Sequence, residues 1–217
     1  MKKISIAEIF MSVQGEGSQA GEIALFIRLA GCNFWSGLEN KREQGVGECA
    51  LWCDTDFLPK YKLSIEEISE RIDRYKQKNN SPLPLVIFTG GEPTLQLHHL
   101  SDLIASKIET TRISVETNGS KDCQVLKFLS QHKNGHVVCS PKKSNKPLKL
   151  RQCNDLKIIV QPSGITKINQ LIEYDMLYFQ PCDLGQGGKE SIDATIQAAL
   201  QHGAKLSFQT HKYLGLR

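Results

Sequence analysis

The sequence predicts an α/β fold, an incomplete (partial) TIM-like β/α barrel forming a single domain over residues 1–217. Three observations point there. Short apolar runs rich in branched and aromatic residues recur along the chain, stretches of helical period separate most of them, and no low-complexity tract or Pro/Gly/Ser linker divides it. A closed eight-stranded barrel usually takes about 250 residues. This chain has 217 and offers six or seven core strands, so an open barrel fits better than a closed one. A doubly wound sheet is the alternative.

The first core strand is Ile23 to Leu29. Leu85 to Phe88, Ile113 to Val115, Val137 to Cys139, Leu156 to Val160, Met176 to Phe179 and Leu206 to Phe208 follow, each without polar alternation and so read as a buried parallel strand. Ahead of the second strand, Ser64-Ile65-Glu66-Glu67 is a capping box opening a helix whose Ile65, Ile68, Ile72 and Tyr75 share one face. Leu97, Leu100, Leu103, Ile104 and Ile108 repeat that pattern, and further helices are expected over 122–131, 165–174 and 189–202. From Cys32 to Leu63 no clear period is visible, and long irregular loops in compact domains are usually functional.

Composition narrows the function classes. Lys and Arg number 27 against 23 Asp and Glu, a net +4 too diffuse to indicate nucleic acid by itself, so no direct nucleic-acid contact is expected. Apolar stretches fall far short of the roughly 20 residues of a membrane span. With Met1-Lys2-Lys3-Ile4 lacking a signal-peptide core, a cytoplasmic protein without membrane contact is expected. Seven cysteines, an odd number, argue for reduced thiols rather than a disulfide framework. Cys123, Cys139, Cys153 and Cys182 sit singly among apolar segments, as packing residues do, whereas Cys32, Cys49 and Cys53 share the irregular loop.

Unusual polar residues cluster where strands end. Arg28 and Cys32 follow the first strand, Thr89-Gly90-Gly91-Glu92 the second, Glu116-Thr117-Asn118-Gly119 the third and Ser140-Pro141-Lys142 the fourth, with Gln180-Pro181 and Gln209-Thr210-His211-Lys212 after later ones. In a parallel β/α fold these ends open on one face, where ligands gather. On spacing alone the three cysteines are compatible with a [4Fe-4S] cluster, with zinc, or with unliganded redox thiols. Structural zinc normally takes four protein ligands, while three thiolates on a cluster leave one iron open to a small molecule.

These motifs together resemble the 7-carboxy-7-deazaguanine synthases of the radical S-adenosylmethionine (SAM) superfamily. The resemblance rests on Val13-Gln14-Gly15-Glu16-Gly17, Cys49 to Asp56, Thr89 to Pro93, Glu116 to Gly119, Ser140 to Lys142 and the ending Gln209-Thr210-His211-Lys212-Tyr213-Leu214, and runs from about residue 5 to the C-terminus. Two departures stand out. Most superfamily members space their cysteines C-x3-C-x2-C; here sixteen residues separate Cys32 from Cys49, as in a family branch with an enlarged loop, and three rather than two separate Cys49 from Cys53.

The resemblance implies a partial barrel of the radical SAM type whose loop of about 30–63 binds a [4Fe-4S] cluster through Cys32, Cys49 and Cys53. It implies SAM contacts from Gly90, Gly91, Glu92, Glu116, Ser140, Pro141, Lys142 and Gln180. The pterin substrate, 6-carboxy-5,6,7,8-tetrahydropterin, would meet Val13, Gln14, Gly15, Glu16 and the terminal carboxylate of Arg217 at its guanidine-like edge, and Arg28 with His211 at its carboxylate, with Thr89 a further substrate contact. Mg2+ would touch Thr55. The reaction so implied would yield 7-carboxy-7-deazaguanine with loss of ammonia; independently, a small open barrel that exposes an edge strand often dimerises, so a homodimer is expected. The run Lys142, Lys143, Lys146, Lys149 and Arg151 is either a solvated loop or a docking surface for an acidic electron donor of the flavodoxin type. Two other readings compete: a glycyl-radical activating enzyme, and a non-enzymatic zinc-stabilised scaffold.

Overall fold

The chain enters as β1 (Lys3–Val13) and turns back antiparallel as β2 (Ile23–Leu29). After the long loop come β3 (Tyr61–Ser64), α1 (Ile65–Lys78), β4 (Leu85–Gly90), α2 (Ser101–Lys107), β5 (Arg112–Thr117), α3 (Gln124–Gln131) and β6 (Gly135–Cys139). The rest is β7 (Gln152–Gln161), β8 (Gly164–Ile165), β9 (Glu173–Pro181), α4 (Gly188–His202), β10 (Lys205–Leu206) and α5 (Thr210–Tyr213). This structure is a computed structural model and describes residues 3–142, 147–161, 164–165, 172–182 and 188–216.

One sheet carries everything, in the order β10-β9-β7-β6-β5-β4-β2-β1-β3, with β8 pairing β7. From β2 to β10 the seven core strands are parallel, and among the described residues the sheet stays open between β3 and β10. This is the expected incomplete barrel.

Each strand faces two environments. Leu25, Ile27, Leu29, Val86, Phe88 and Val115 pack outward on Ile68, Ile72, Leu103, Ile104, Leu126 and Leu129 of the helices, in one continuous core. The inner face is different. Ala24, Phe26, Leu85 and Ile87 form a small apolar floor with Phe10, whose ring stacks on Phe26 at 5.1 Å. Arg28, Thr89, Glu116, Lys157 and Gln180 continue that inner face from different strands toward one cavity. Register brings them together: Arg28 lies opposite Thr89, and Gln180 opposite Ile159.

The capping box forms, with Glu67 N–H donating to Ser64 Oγ at 3.2 Å and Ser64 N–H to Glu67 Oε2 at 2.7 Å, and Ile68, Ile72 and Tyr75 are buried. The pattern from Leu97 to Ile108 begins as a 3-10 turn over Leu97–Leu100 before α2. Three expectations are corrected. β1 and β3 were not anticipated; β1 has apolar residues on both faces, and β3 is only four residues long. The helix expected over 165–174 is contradicted at both ends, because Ile165 lies in β8 and Glu173 in β9, with 166–171 outside the described residues. Cys139, Cys153 and Cys182 are buried as expected, but Cys123 is only half-buried. No helix among the described residues is long and apolar enough to cross a membrane.

Candidate active site

The strand ends and the long loop enclose a cavity of about 470 Å3. Its walls include Val13, Gln14, Glu16, Arg28, Cys32, Cys49, Cys53, Thr55, Thr89, Gly90, Gly91, Glu116, Ser140, Lys142, Gln180 and His211, sixteen of the residues expected from the sequence. Gly15, Glu92 and Pro141 do not line it. Arg217, Lys143 and Lys146 lie outside the described residues.

The two ends of the chain meet at the cavity. Thr210 N–H and Oγ1 both donate to Gly15 O at 3.2 Å, and Gln209 Nε2 donates to Glu16 Oε1 at 2.9 Å. Gly15 is required there: a Cβ on it would stand 2.1 Å from Nδ1 of His211. Glu16 also accepts from Gln180 Nε2 at 3.1 Å, and its Oε2 pairs with Nζ of Lys157, a buried residue of β7. Burial alone would raise the Glu16 carboxyl, but the Lys157 ammonium and the Gln209 amide outweigh it and hold it at about 2. Burial likewise opposes the Lys157 ammonium, yet Glu16 and Glu116 leave its pKa raised.

A second network joins three more expected residues. Glu116 accepts from Gln14 Nε2 at 2.9 Å through one oxygen and from Thr89 Oγ1 at 2.8 Å through the other. Arg28 gives its Nε to Glu8 at 2.8 Å and lies 5.6 Å from the Phe10 ring centroid. Lys142 is not a surface lysine: its Nζ donates to Ser140 Oγ at 2.7 Å and lies 5.5 Å from the Trp52 ring centroid, and burial, then the Lys157 charge, lower its pKa. Only Lys149 and Arg151 of the described basic run are exposed.

The Gly-Gly-Glu turn is corrected from ligand to scaffold in part. Gly90 has φ +149°, and a Cβ there would lie 2.1 Å from Leu29 O; one on Gly91 would lie 2.3 Å from Gly31 O and 2.8 Å from Cβ of Cys32. Both glycines therefore let the backbone leading into the cysteine loop pass, besides facing the cavity. Glu92 is 1% exposed and accepts from Thr94 N and Oγ1, Thr117 Oγ1 and Asn118 N at 2.6–3.0 Å. It ties the ends of β4 and β5 together and is not placed to take a SAM ammonium. Gly91→Ala is expected to cost about 1–3 kcal/mol through overpacking; a denaturant midpoint equal to that of the unmodified protein would contradict the close approach.

The cysteine loop has its own small core. Trp35, Ala50 and Phe57 are buried together, with Trp35 edge-on to Phe57 at 5.6 Å, and Cys32 and Cys53 pack against them. Cys49 sits in a 3-10 turn over Glu48–Leu51. Phe34 N–H points to Cys32 Sγ at 3.4 Å, the backbone contact a thiolate ligand accepts. Without metal, burial pushes the Cys49 thiol up to about 11 and raises Cys32. Among the described residues no three Cys, His, Asp or Glu side chains close around a point as ligands of one ion do. Sequence reading missed Lys157, Glu8 and Arg42. Lys157 alone left a signal, a lysine inside the apolar run Leu156 to Val160.

Residues 31–157 match the radical SAM superfamily. The 7-carboxy-7-deazaguanine synthase of Caulobacter vibrioides is 32% identical, the match covering 98% of each chain, and that of Burkholderia multivorans is 33% identical with the same coverage. The chain belongs to the 7-carboxy-7-deazaguanine synthase family. The solved structure of QueE from Escherichia coli superposes with a TM-score of 0.64 at 22% identity, covering 95% of this chain and 94% of that one, which supports the fold. The readings as a zinc scaffold and as a glycyl-radical activating enzyme fall with this finding.

A radical SAM enzyme carries a [4Fe-4S] cluster and SAM, and the cavity fits both. Three soft thiols from one loop face it without a fourth cysteine among its lining residues.

Proposed function

We propose that this chain converts 6-carboxy-5,6,7,8-tetrahydropterin to 7-carboxy-7-deazaguanine, with loss of ammonia, in 7-deazapurine biosynthesis of the queuosine type. One observation carries the reading: the Gln14–Gly17 and Gln209–Lys212 segments, both family motifs, join each other at a cavity that also receives all three loop cysteines. When bound, the cluster and SAM supply hydrogen-atom abstraction, which two-electron side-chain chemistry lacks. Everything else falls to the chain's own residues.

Cys32, Cys49 and Cys53 would hold the cluster. Gly90, Gly91, Glu116, Ser140, Lys142 and Gln180 would serve SAM, with Lys142 matched to its carboxylate by charge. The terminal nitrogens of Arg28, whose Nε is engaged by Glu8, would take the substrate carboxylate together with His211. Val13, Gln14 and Glu16 would meet the guanidine-like edge, with Thr89 a further substrate contact. Glu16 stays ionised beside Lys157, as an acceptor of paired N–H donors must. Thr55 stands between Asp54 and Asp56, three oxygen-bearing residues on the cavity wall, a setting that suits Mg2+ with few protein ligands.

Anaerobic incubation of the iron-loaded protein with SAM, reductant and the carboxypterin tests this by mass spectrometry. The expected result is the deazaguanine product; SAM cleavage with the pterin recovered unchanged would overturn it.

We further propose a homodimer, which sedimentation equilibrium tests against a monomer, and an acidic flavodoxin-type donor docking on the basic run. Charge reversal at Lys143, Lys146 and Lys149 is expected to slow donor-supported turnover at low salt and to matter less at high salt. Unchanged rates at both salts would remove that docking surface.

A further inference from the structure

Arg42 lies in the sixteen-residue stretch that separates Cys32 from Cys49, on a 3-10 turn over Glu39–Gln44. Every one of the five N–H groups a guanidinium offers is used. Nε and one Nη2 hydrogen go to the two oxygens of Glu39, at 2.9 and 2.6 Å. The other Nη2 hydrogen and one of Nη1 both reach Cys53 O at 3.1 Å, and the last Nη1 hydrogen goes to Ala50 O. The guanidinium carbon lies over the Trp35 ring, 4.6 Å from its centroid.

The two carbonyls so held belong to the residue after Cys49 and to Cys53 itself. A 3-10 turn leaves its last carbonyls without partners, and the turn carrying Cys49 ends immediately before Trp52. Cys49 and Cys53 are thus set at a fixed distance by one rigid planar donor, itself seated on the indole that packs behind Cys32 and Cys53. The enlarged loop thus supplies the donor that the carbonyls of Ala50 and Cys53 accept.

We propose that Arg42 is a positioning residue for the iron-sulfur cluster, presenting the Cys49 and Cys53 sulfurs at the separation the cluster requires. It touches neither substrate nor cofactor, and the proposal rests on the assignment of the three loop cysteines as cluster ligands. Lysine cannot replace it, because a point ammonium cannot bridge two carbonyls and a carboxylate while lying flat on an indole.

The test compares the unmodified protein, Arg42→Ala, Arg42→Lys and Cys49→Ala after anaerobic loading with iron and sulfide. Readouts are iron and sulfide per chain, the rate of iron loss to a chelator, and the electron paramagnetic resonance spectrum of the reduced protein without SAM. Arg42→Ala is expected to lose iron at least about tenfold faster, as removal of outer-shell partners does, and to show an altered spectrum; Arg42→Lys is expected to restore neither. Should Arg42→Ala fail to fold, Glu39→Gln, which releases the guanidinium from its exposed anchor, is expected to show the same changes more weakly. A spectrum and chelation rate like those of the unmodified protein in the foldable variants, with Cys49→Ala stripped of iron, would overturn the proposal while leaving the ligand assignment intact. Full iron in Cys49→Ala would overturn both.

Discussion

Cys49→Ala is expected to fold and to lose turnover entirely, with iron falling far below the roughly four atoms per chain of a complete cluster. The reason is arithmetic of ligands. Three thiolates from one loop are all the protein offers, so the loss of one leaves two corners of the cluster exposed, and a bare corner meant for SAM cannot be told from a bare corner left by mutation. Cys49 is also the proposed ligand whose spacing departs furthest from the superfamily pattern, yet it is buried in an ordered turn beside the same cavity as Cys32 and Cys53. Cys123→Ala is the control. That residue is half-buried at the start of α3 and does not line the cavity, so its loss should leave iron and turnover as they were. Iron analysis and turnover on the two variants decide the matter: full iron in Cys49→Ala would remove it from the ligand set.

The second large effect is expected from Lys157→Met. The Lys157 and Glu16 side chains are 8% and 13% exposed, so their pair belongs among buried ion pairs rather than the weak surface ones. Removing the cation strands a buried carboxylate, at a cost of about 3–5 kcal/mol, and the double variant Lys157→Met with Glu16→Gln should recover much of it. The pH dependence follows in sign. Glu16, depressed to about 2 from an ordinary 4.5, contributes stability that is whole above pH 4.5 and is lost as pH falls toward 2. Lys157, raised above its ordinary 10.5, contributes stability that is whole below that value and is lost as pH rises through its folded pKa. Chemical denaturation across pH should therefore show a plateau between those limits in the unmodified protein. In Lys157→Met the contribution from Glu16 should shrink. A stability change under 1 kcal/mol at neutral pH would show that the pair is not what holds Glu16.

Much of this was legible in the residues because the outer face of each strand follows simple hydrophobic pressure. Six of the seven parallel strands are where apolar runs such as Ile23 to Leu29 and Leu85 to Phe88 put them, while β10 shares only Leu206 with the run Leu206 to Phe208. The inner face escaped because a partial barrel stores its polar site inside. Asp155 and Lys157 are buried in β7 and answer to Ser18, His136 and Glu16, none of them near in sequence. Nothing local distinguishes such a lysine from an interruption of a strand. Glu92 left two roles open, fixing the turn or meeting the SAM ammonium, and only the fold reveals that Thr94, Thr117 and Asn118 already take up its oxygens. The helix expected over 165–174 failed because apolar spacing in a short stretch does not separate a helix from the strand residues Ile165 and Glu173 at its limits. Arg42 had no signal, since its contacts to the cysteine segment are to backbone carbonyls and its pairing with Glu39 looks like an ordinary surface ion pair.

The account stands or falls on three cysteines holding a cluster with one corner turned to a shared cavity. Electron paramagnetic resonance of the dithionite-reduced protein, recorded before and after adding SAM, tests that directly. The predicted result is the signal of a reduced [4Fe-4S] cluster whose g-values move when SAM is added. A cluster signal that SAM leaves unmoved, or no cluster signal in protein loaded with iron and sulfide, would contradict it.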